Sequence, residues 1–157
     1  MIGIHGMGGI GKSTLARAVC NELIIAEKFV GLCFLANVRE NSNKLEHLQE
    51  KPLEILGEKN ISLTCKQQGI SIIPFRLTGK KVLLILDDAD KRERLQAIAG
   101  RLGGFGPGSK IIITTQDKQL LTSHEVYITY EVKELDKKTL LKKRPSTSVL
   151  MVFLHWL

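Results

Sequence analysis

The run Gly6-Met7-Gly8-Gly9-Ile10-Gly11-Lys12-Ser13 fits the pattern G-x-x-x-x-G-K-[ST]. It stands between the apolar Met1-Ile2-Gly3-Ile4, which reads as a strand over residues 1–5, and Thr14-Leu15-Ala16-Arg17-Ala18-Val19, which continues a helix over 12–27. A strand that turns through glycines directly into a helix is the phosphate-wrapping unit of a P-loop. Glycines let successive N–H groups turn toward one anion without a side chain in the way. Lys12 is a point charge for the β- and γ-phosphates, the Ser13 hydroxyl suits a Mg²⁺ position, and the helix aims its positive end at the same place. Gly6, Met7, Gly8, Gly9, Ile10, Gly11, Lys12, Ser13 and Thr14 are therefore expected on a nucleotide's phosphates.

Downstream, strands and helices alternate. Gly31–Val38 reads as a second strand, and residues 45–58 as a helix with Leu45, Leu48, Leu53 and Leu56 near a 3.6 period. Residues 66–79 are ambiguous, because Pro74 cannot sit inside a helix without kinking it. Val82-Leu83-Leu84-Ile85-Leu86 is apolar without alternation, as is Ile111-Ile112-Ile113 within a strand over 110–115. Unbroken apolar runs belong to parallel strands covered on both faces. A helix is expected over 91–102, a loop over 103–108, a short helix over 117–123 and a last strand over 126–132. The order argues for an α/β fold in three layers around a parallel sheet. Ligands of such sheets lie beyond the carboxyl ends of the strands.

Two further signals fall at those ends. Asp87 and Asp88 close the apolar strand. Asp87 is assigned to the Mg²⁺ shell, directly or through water, and Asp88 to orienting or deprotonating an attacking water. Asp90 suits capping of the next helix. Thr114-Thr115-Gln116-Asp117 ends the other buried strand, where a polar residue can touch a γ-phosphate; Gln116 is the candidate. His5 reads as structural. His47, His124 and His155 have no ligand-like spacing, so no metal beyond Mg²⁺ is implied. Arg39 reads as an exposed residue after strand two.

Composition sets limits. A chain of 157 residues with 43% hydrophobic and 25% charged residues suits one globular domain. Cys20, Cys33 and Cys65 are scattered without C-x-x-C spacing, which fits reduced thiols in the cytosol or nucleus. No signal peptide or membrane-length apolar segment is visible. Of the net charge of +7, +4 falls in residues 133–157, so the excess reads as a solvated run and not as a nucleic-acid patch.

Taken in order, GMGGIGKSTLARAV, FLANVRENS, KKVLLILDDAD, FGPGSKIIITTQDKQLL and YEVKEL resemble the NB-ARC nucleotide-binding domain of plant disease-resistance proteins, over about residues 2–136. FLANVRENS, and Asp90 where the other subclass tends to have Trp, are similar to the subclass that carries a TIR domain. The resemblance implies a P-loop NTPase with a five-stranded parallel sheet in the order 2-3-4-1-5. It also implies an ADP-bound resting state and an ATP-bound active state, with Mg²⁺ at Ser13 and Asp87. Family members usually carry Arg at the position of Gln116, and Gln supplies neither that charge nor its fork of donors.

The expected organisation is an NB-ARC subdomain over 1–136 and a divergent basic and apolar tail over 137–157, with the adenine-side segment and the downstream domains missing from a truncated chain. The function expected is an ADP/ATP-binding signalling switch in a cytoplasmic or nuclear immune receptor, at most a slow Mg-dependent ATPase. Its expected partners are nucleotide, other receptor domains or a homo-oligomer, with no membrane and no nucleic acid. The competing readings are an autonomous P-loop ATPase or small-molecule kinase, and an interaction fragment that binds no nucleotide.

Overall fold

The computed structural model describes residues 1–40, 49–50, 78–99, 105–126 and 128–133. Five strands form one sheet: β1 (Ile2–His5), β2 (Gly31–Leu35), β3 (Val82–Ala89), β4 (Lys110–Thr115) and β5 (Ile128–Glu131). Every neighbouring pair is parallel and the order is β2-β3-β4-β1-β5. The helices are α1 (Lys12–Ala26), α2 (Arg92–Ala99) and α3 (Lys118–Ser123). This is the α/β P-loop NTPase sheet anticipated above.

The apolar runs explain the layers. Because side chains alternate across a strand, β3 splits its leucines and isoleucines between two faces. Leu83 and Ile85 join Ile2, Ile4 and Ile112 against Ala16, Val19 and Leu23 of α1. Leu84 and Leu86 join Ile111 and Ile113 against Leu95 and Ile98 of α2 and Leu120 and Leu121 of α3. Burying each such large side chain contributes about 1.5–3 kcal/mol, which is why neither face tolerates a polar residue in mid-strand. Gly3 lies where α3 crosses β1: a Cβ there would stand 2.4 Å from Leu121 Cδ1.

At the amino ends of the strands, one ionic cluster ties the layers. Glu27, just past α1, pairs with Lys81, which immediately precedes β3, and with Lys110 of β4 at 3.1 Å. Burial works against its charged form, but hydrogen bonds from Lys81 and Lys110 outweigh this and hold the Glu27 pKa below the usual glutamate value.

Several boundaries differ from expectation. β3 does not stop at Leu86; it runs on through both aspartates to Ala89. β2 ends at Leu35 instead of Val38, yet the Val38 and Arg39 N–H groups still donate to the Asp87 and Asp88 carbonyls at 2.8 and 3.1 Å. The last strand is shorter than expected, Ile128–Glu131. Asp90 does not cap α2: the Lys91 carbonyl accepts the first helical bond, from Leu95, and the Asp90 carboxylate pairs with Arg94 one turn on. Asp117 does cap α3, accepting from the Gln119 N–H at 2.8 Å. Cys20 and Cys33 are buried free thiols. Apart from Gln49 and Glu50, the helix expected over 45–58 lies outside the described residues. So do residues 66–77 of the ambiguous stretch, Cys65, and the tail over 137–157.

Candidate nucleotide-phosphate site

The loop between β1 and α1 is shaped by its glycines. Gly9 and Gly11 have φ of 72° and 98°, a region that side chains other than Gly, Asn and Asp rarely enter. The Cβ direction at each opens into free space, with no atom within 4 Å. The loop therefore forms a cradle that side chains at these positions would fill.

α1 begins at Lys12 with no side-chain cap and no acidic residue in its first turn. The first N–H groups of a helix have no internal partner, and their combined dipole attracts an anion. Lys12 is only 7% exposed, and its ammonium donates to the Gly6 and Met7 carbonyls at 3.0 and 2.6 Å. Burial lowers its pKa below the ordinary lysine value; Asp88 and Asp87 oppose that shift, and Arg39 adds to it. A desolvated cation beside unpaired N–H donors and an open glycine cradle is a fit for a polyphosphate.

The loop forms one wall of an open cleft of about 360 Å³. Gly8, Gly9, Gly11, Lys12, Ser13, Thr14, Asn37, Asp88, Thr114 and Gln116 line it. The structure thus joins the loop with Asp88 and Gln116, which lie 75 residues or more away in sequence. Gln116 follows β4 directly, and a Cβ at Gly8 would lie 3.7 Å from its amide.

The two aspartates have different surroundings because of a bulge. In the β3–β4 register, Leu86 pairs with Ile113 and Ala89 with Thr115, so β3 has one residue too many. Asp88 sits within this irregularity at φ 55°. Bulges re-aim side chains at the rims of sheets. Here Asp88 reaches the cleft, while Ala89 returns to the face of Leu84 and Leu86. Asp87 is 3% exposed and does not line the cleft; its Oδ1 accepts from Thr114 Oγ1 at 2.7 Å. The same Thr114 oxygen accepts from the Asp88 N–H at 2.9 Å. Thr115 Oγ1 donates to the Ala89 carbonyl at 2.7 Å, closing the bulge.

Sequence reasoning missed three participants. Thr114 is hidden inside an apolar-looking strand, and only the hydrogen bonds show that one hydroxyl positions both aspartates. Asn37 lines the cleft at φ 52°. Arg39 is not simply an exposed residue: its side chain is 41% exposed and reaches to 3.6 Å from Asp88 Oδ1. The FLANVRE segment was noticed for its resemblance alone, and no spacing rule links it to a loop some thirty residues upstream. His5, by contrast, is buried at the end of β1 as expected. Burial lowers its pKa, with Glu131 opposing and Lys118 reinforcing the shift.

Among the described residues, no cluster of three or more His, Cys, Asp or Glu forms an all-protein metal cage. Nor is any helix among them long and apolar enough to cross a membrane.

Comparison with known proteins gives concordant matches. The NB-ARC domain pattern matches residues 1–144. The TMV resistance protein N of Nicotiana glutinosa is 40% identical over 140 residues, covering 86% of this chain and 12% of that protein. Disease resistance proteins RPP4 and RPP5 of Arabidopsis thaliana are each 40% identical, over 137 and 138 residues. They cover 84% and 85% of this chain, and 11% and 9% of their own lengths. These three relatives are of the TIR type. The chain thus spans about a tenth of the length of the relatives it matches. The matched domain is a nucleotide-binding domain of the P-loop NTPase type.

Proposed function

We propose, for a chain that belongs to the NB-ARC family, that its cleft holds ADP or ATP with Mg²⁺ and serves as the nucleotide switch of a plant immune receptor. The observation that carries this is a convergence at one cleft. An uncapped helix start, a buried Lys12 ammonium and an open glycine cradle face Asp88 and Thr114 from the next strands. Gly6, Met7, Gly8, Gly9, Ile10, Gly11 and Thr14 offer the loop's main chain to the phosphates, and Lys12 offers its charge.

Ser13 and Asp87 would hold Mg²⁺. Asp87, set behind the cleft wall against Thr114, does so through water. The ion, when bound, neutralises phosphate charge. Asp88 faces the cleft and orients water there, which supports at most slow hydrolysis. Gln116 occupies the sensing position beside Gly8 without a positive charge. ADP is the resting ligand and ATP the activating one. Residues 1–136 form the binding unit and 137–157 a tail. The full receptor works in the cytosol or nucleus, and nucleotide state there governs contacts with its other domains or with a second copy.

The test is calorimetric titration of the folded chain with ADP and with ATP, each with Mg²⁺. Binding of ADP at micromolar or tighter affinity is expected, and it should vanish in Lys12→Ala, which removes the loop's point charge. Unchanged affinity in that variant would sink the assignment.

A further inference from the structure

Arg39 has a fixed root and an uncommitted head. It occupies the third position of a turn closed by the Glu40 N–H on the Asn37 carbonyl at 3.1 Å. Its own N–H donates to the Asp88 carbonyl at 3.1 Å, and its carbonyl accepts from Arg94 Nη1 at 3.1 Å. Arg94 is held in turn by Asp90. The main chain of Arg39 is thus anchored to β3 and to α2 beside the cleft.

The guanidinium is held far less firmly. Its Nη2 lies 3.6 Å from Asp88 Oδ1, well outside the 2.7–2.9 Å typical of a charge-assisted N–H···O bond. Its Nε is buried and has no hydrogen-bond partner among the described residues. A guanidinium is always charged and presents five donors in a planar fork suited to phosphate. Across the cleft, Gln116 offers an amide at the end of β4 and no charge. Asp88 projects negative charge into the space that a longer polyphosphate would enter. A cation beside Asp88 must answer that repulsion, and Arg39 is the one in contact with it. Its field already reaches Lys12 in the loop.

We propose that Arg39 distinguishes ATP from ADP at this site, its guanidinium leaving the loose contact with Asp88 to pair with the terminal phosphate of the triphosphate. The inference rests on the nucleotide reading above and deepens it, assigning the sensing charge to the turn after β2. ADP lacks the group that Arg39 engages, so its affinity is insensitive to the residue.

The experiment is calorimetry with Mg·ADP and with a non-hydrolysable Mg·ATP analogue on the whole chain. Wild type, R39A, R39Q, D88N and D88N/R39A are compared after circular dichroism shows each is folded. R39A and R39Q are expected to weaken the triphosphate about tenfold or more, as loss of a charge-assisted bidentate contact should. ADP affinity stays within about twofold, because the diphosphate makes no contact with Arg39. The same loss is expected on passing from D88N to D88N/R39A. R39Q keeps most of the stem and a polar head, so it carries the test should R39A fail to fold. An unchanged ratio of triphosphate to diphosphate affinity in both Arg39 variants overturns the inference while leaving the nucleotide site intact. A loss that disappears in the D88N background also overturns it, making Arg39 a positioning residue for Asp88. A wild-type chain that binds neither nucleotide overturns the underlying reading and the inference with it.

Discussion

Thr114→Val removes one oxygen from a buried strand and keeps the shape of the side chain. That oxygen donates to Asp87 at 2.7 Å and accepts from the Asp88 N–H at 2.9 Å. A hydrogen bond to a charged group is worth about 1.5–3 kcal/mol, and leaving a partly buried N–H without an acceptor costs about 1 kcal/mol more. The expected destabilisation is therefore about 3 kcal/mol, a large share of the roughly 5–15 kcal/mol that holds a domain folded. For a chain of this size that lowers the melting temperature by about 6–12 °C. Thr114→Ser separates the hydroxyl from the methyl. It keeps both hydrogen bonds and gives up one buried methyl, a loss of about 1 kcal/mol. Urea unfolding of the three proteins without nucleotide measures the difference. Thr114→Val within about 0.5 kcal/mol of wild type, the usual range for an inconsequential substitution, would refute the bridging role. Thr114→Ser as damaging as Thr114→Val would refute it equally, because packing would then carry the effect.

Other expectations concern the two ends of the sheet. Glu27→Gln removes the carboxylate faced by Lys81 and Lys110, and should cost about 2 kcal/mol in thermal melts, below the full figure for a buried pair because the cluster is partly solvated. Since the folded pKa of Glu27 lies below its unfolded value, its contribution is present above about pH 4.3 and fades as pH falls through the folded pKa. Glu27→Gln should lose that acid-dependent component. The pKa values of His5 and His124 are lowered chiefly by burial, so the unfolded chain takes up protons first. Stability should decline as pH drops below about 6.5, and replacing both histidines by Asn should flatten the slope. Gln116→Arg should raise ATP affinity more than ADP affinity by calorimetry; equal gains would place residue 116 away from the terminal phosphate.

Much of this architecture was legible in the order of residues. The unbroken apolar runs of β3 and β4 required a sheet covered on both sides, and alternation then divided Leu83 and Ile85 from Leu84 and Leu86 between α1 and the opposite helices. The errors fell at strand ends. β3 was cut short at Leu86 because charge was read as the end of a strand. In fact the backbone ladder continues past it, Asp87 is sheltered by a threonine hydroxyl, and Asp88 is accommodated by a bulge. Asp90 was matched to a cap by its type and place, but Arg94 four residues on competes for the same carboxylate and takes it. Arg39 was read as exposed because nothing nearby in sequence is a partner for it.

The phosphate loop was readable from sequence for a physical reason. Its glycines, lysine and serine are consecutive, and the chemistry works through their own main chain and one helix terminus, so local rules suffice. The identity of the aspartate facing the cleft could not be read in that way. It depends on a one-residue mismatch between strands and on a hydroxyl 27 residues away from Asp87. The place of Arg39 beside Asp88 depends likewise on β2 pairing with a strand some fifty residues later in the chain. Such contacts carry no periodicity or spacing for a linear reading to detect. They arise only when the parallel crossovers bring the carboxyl ends of the strands to one rim.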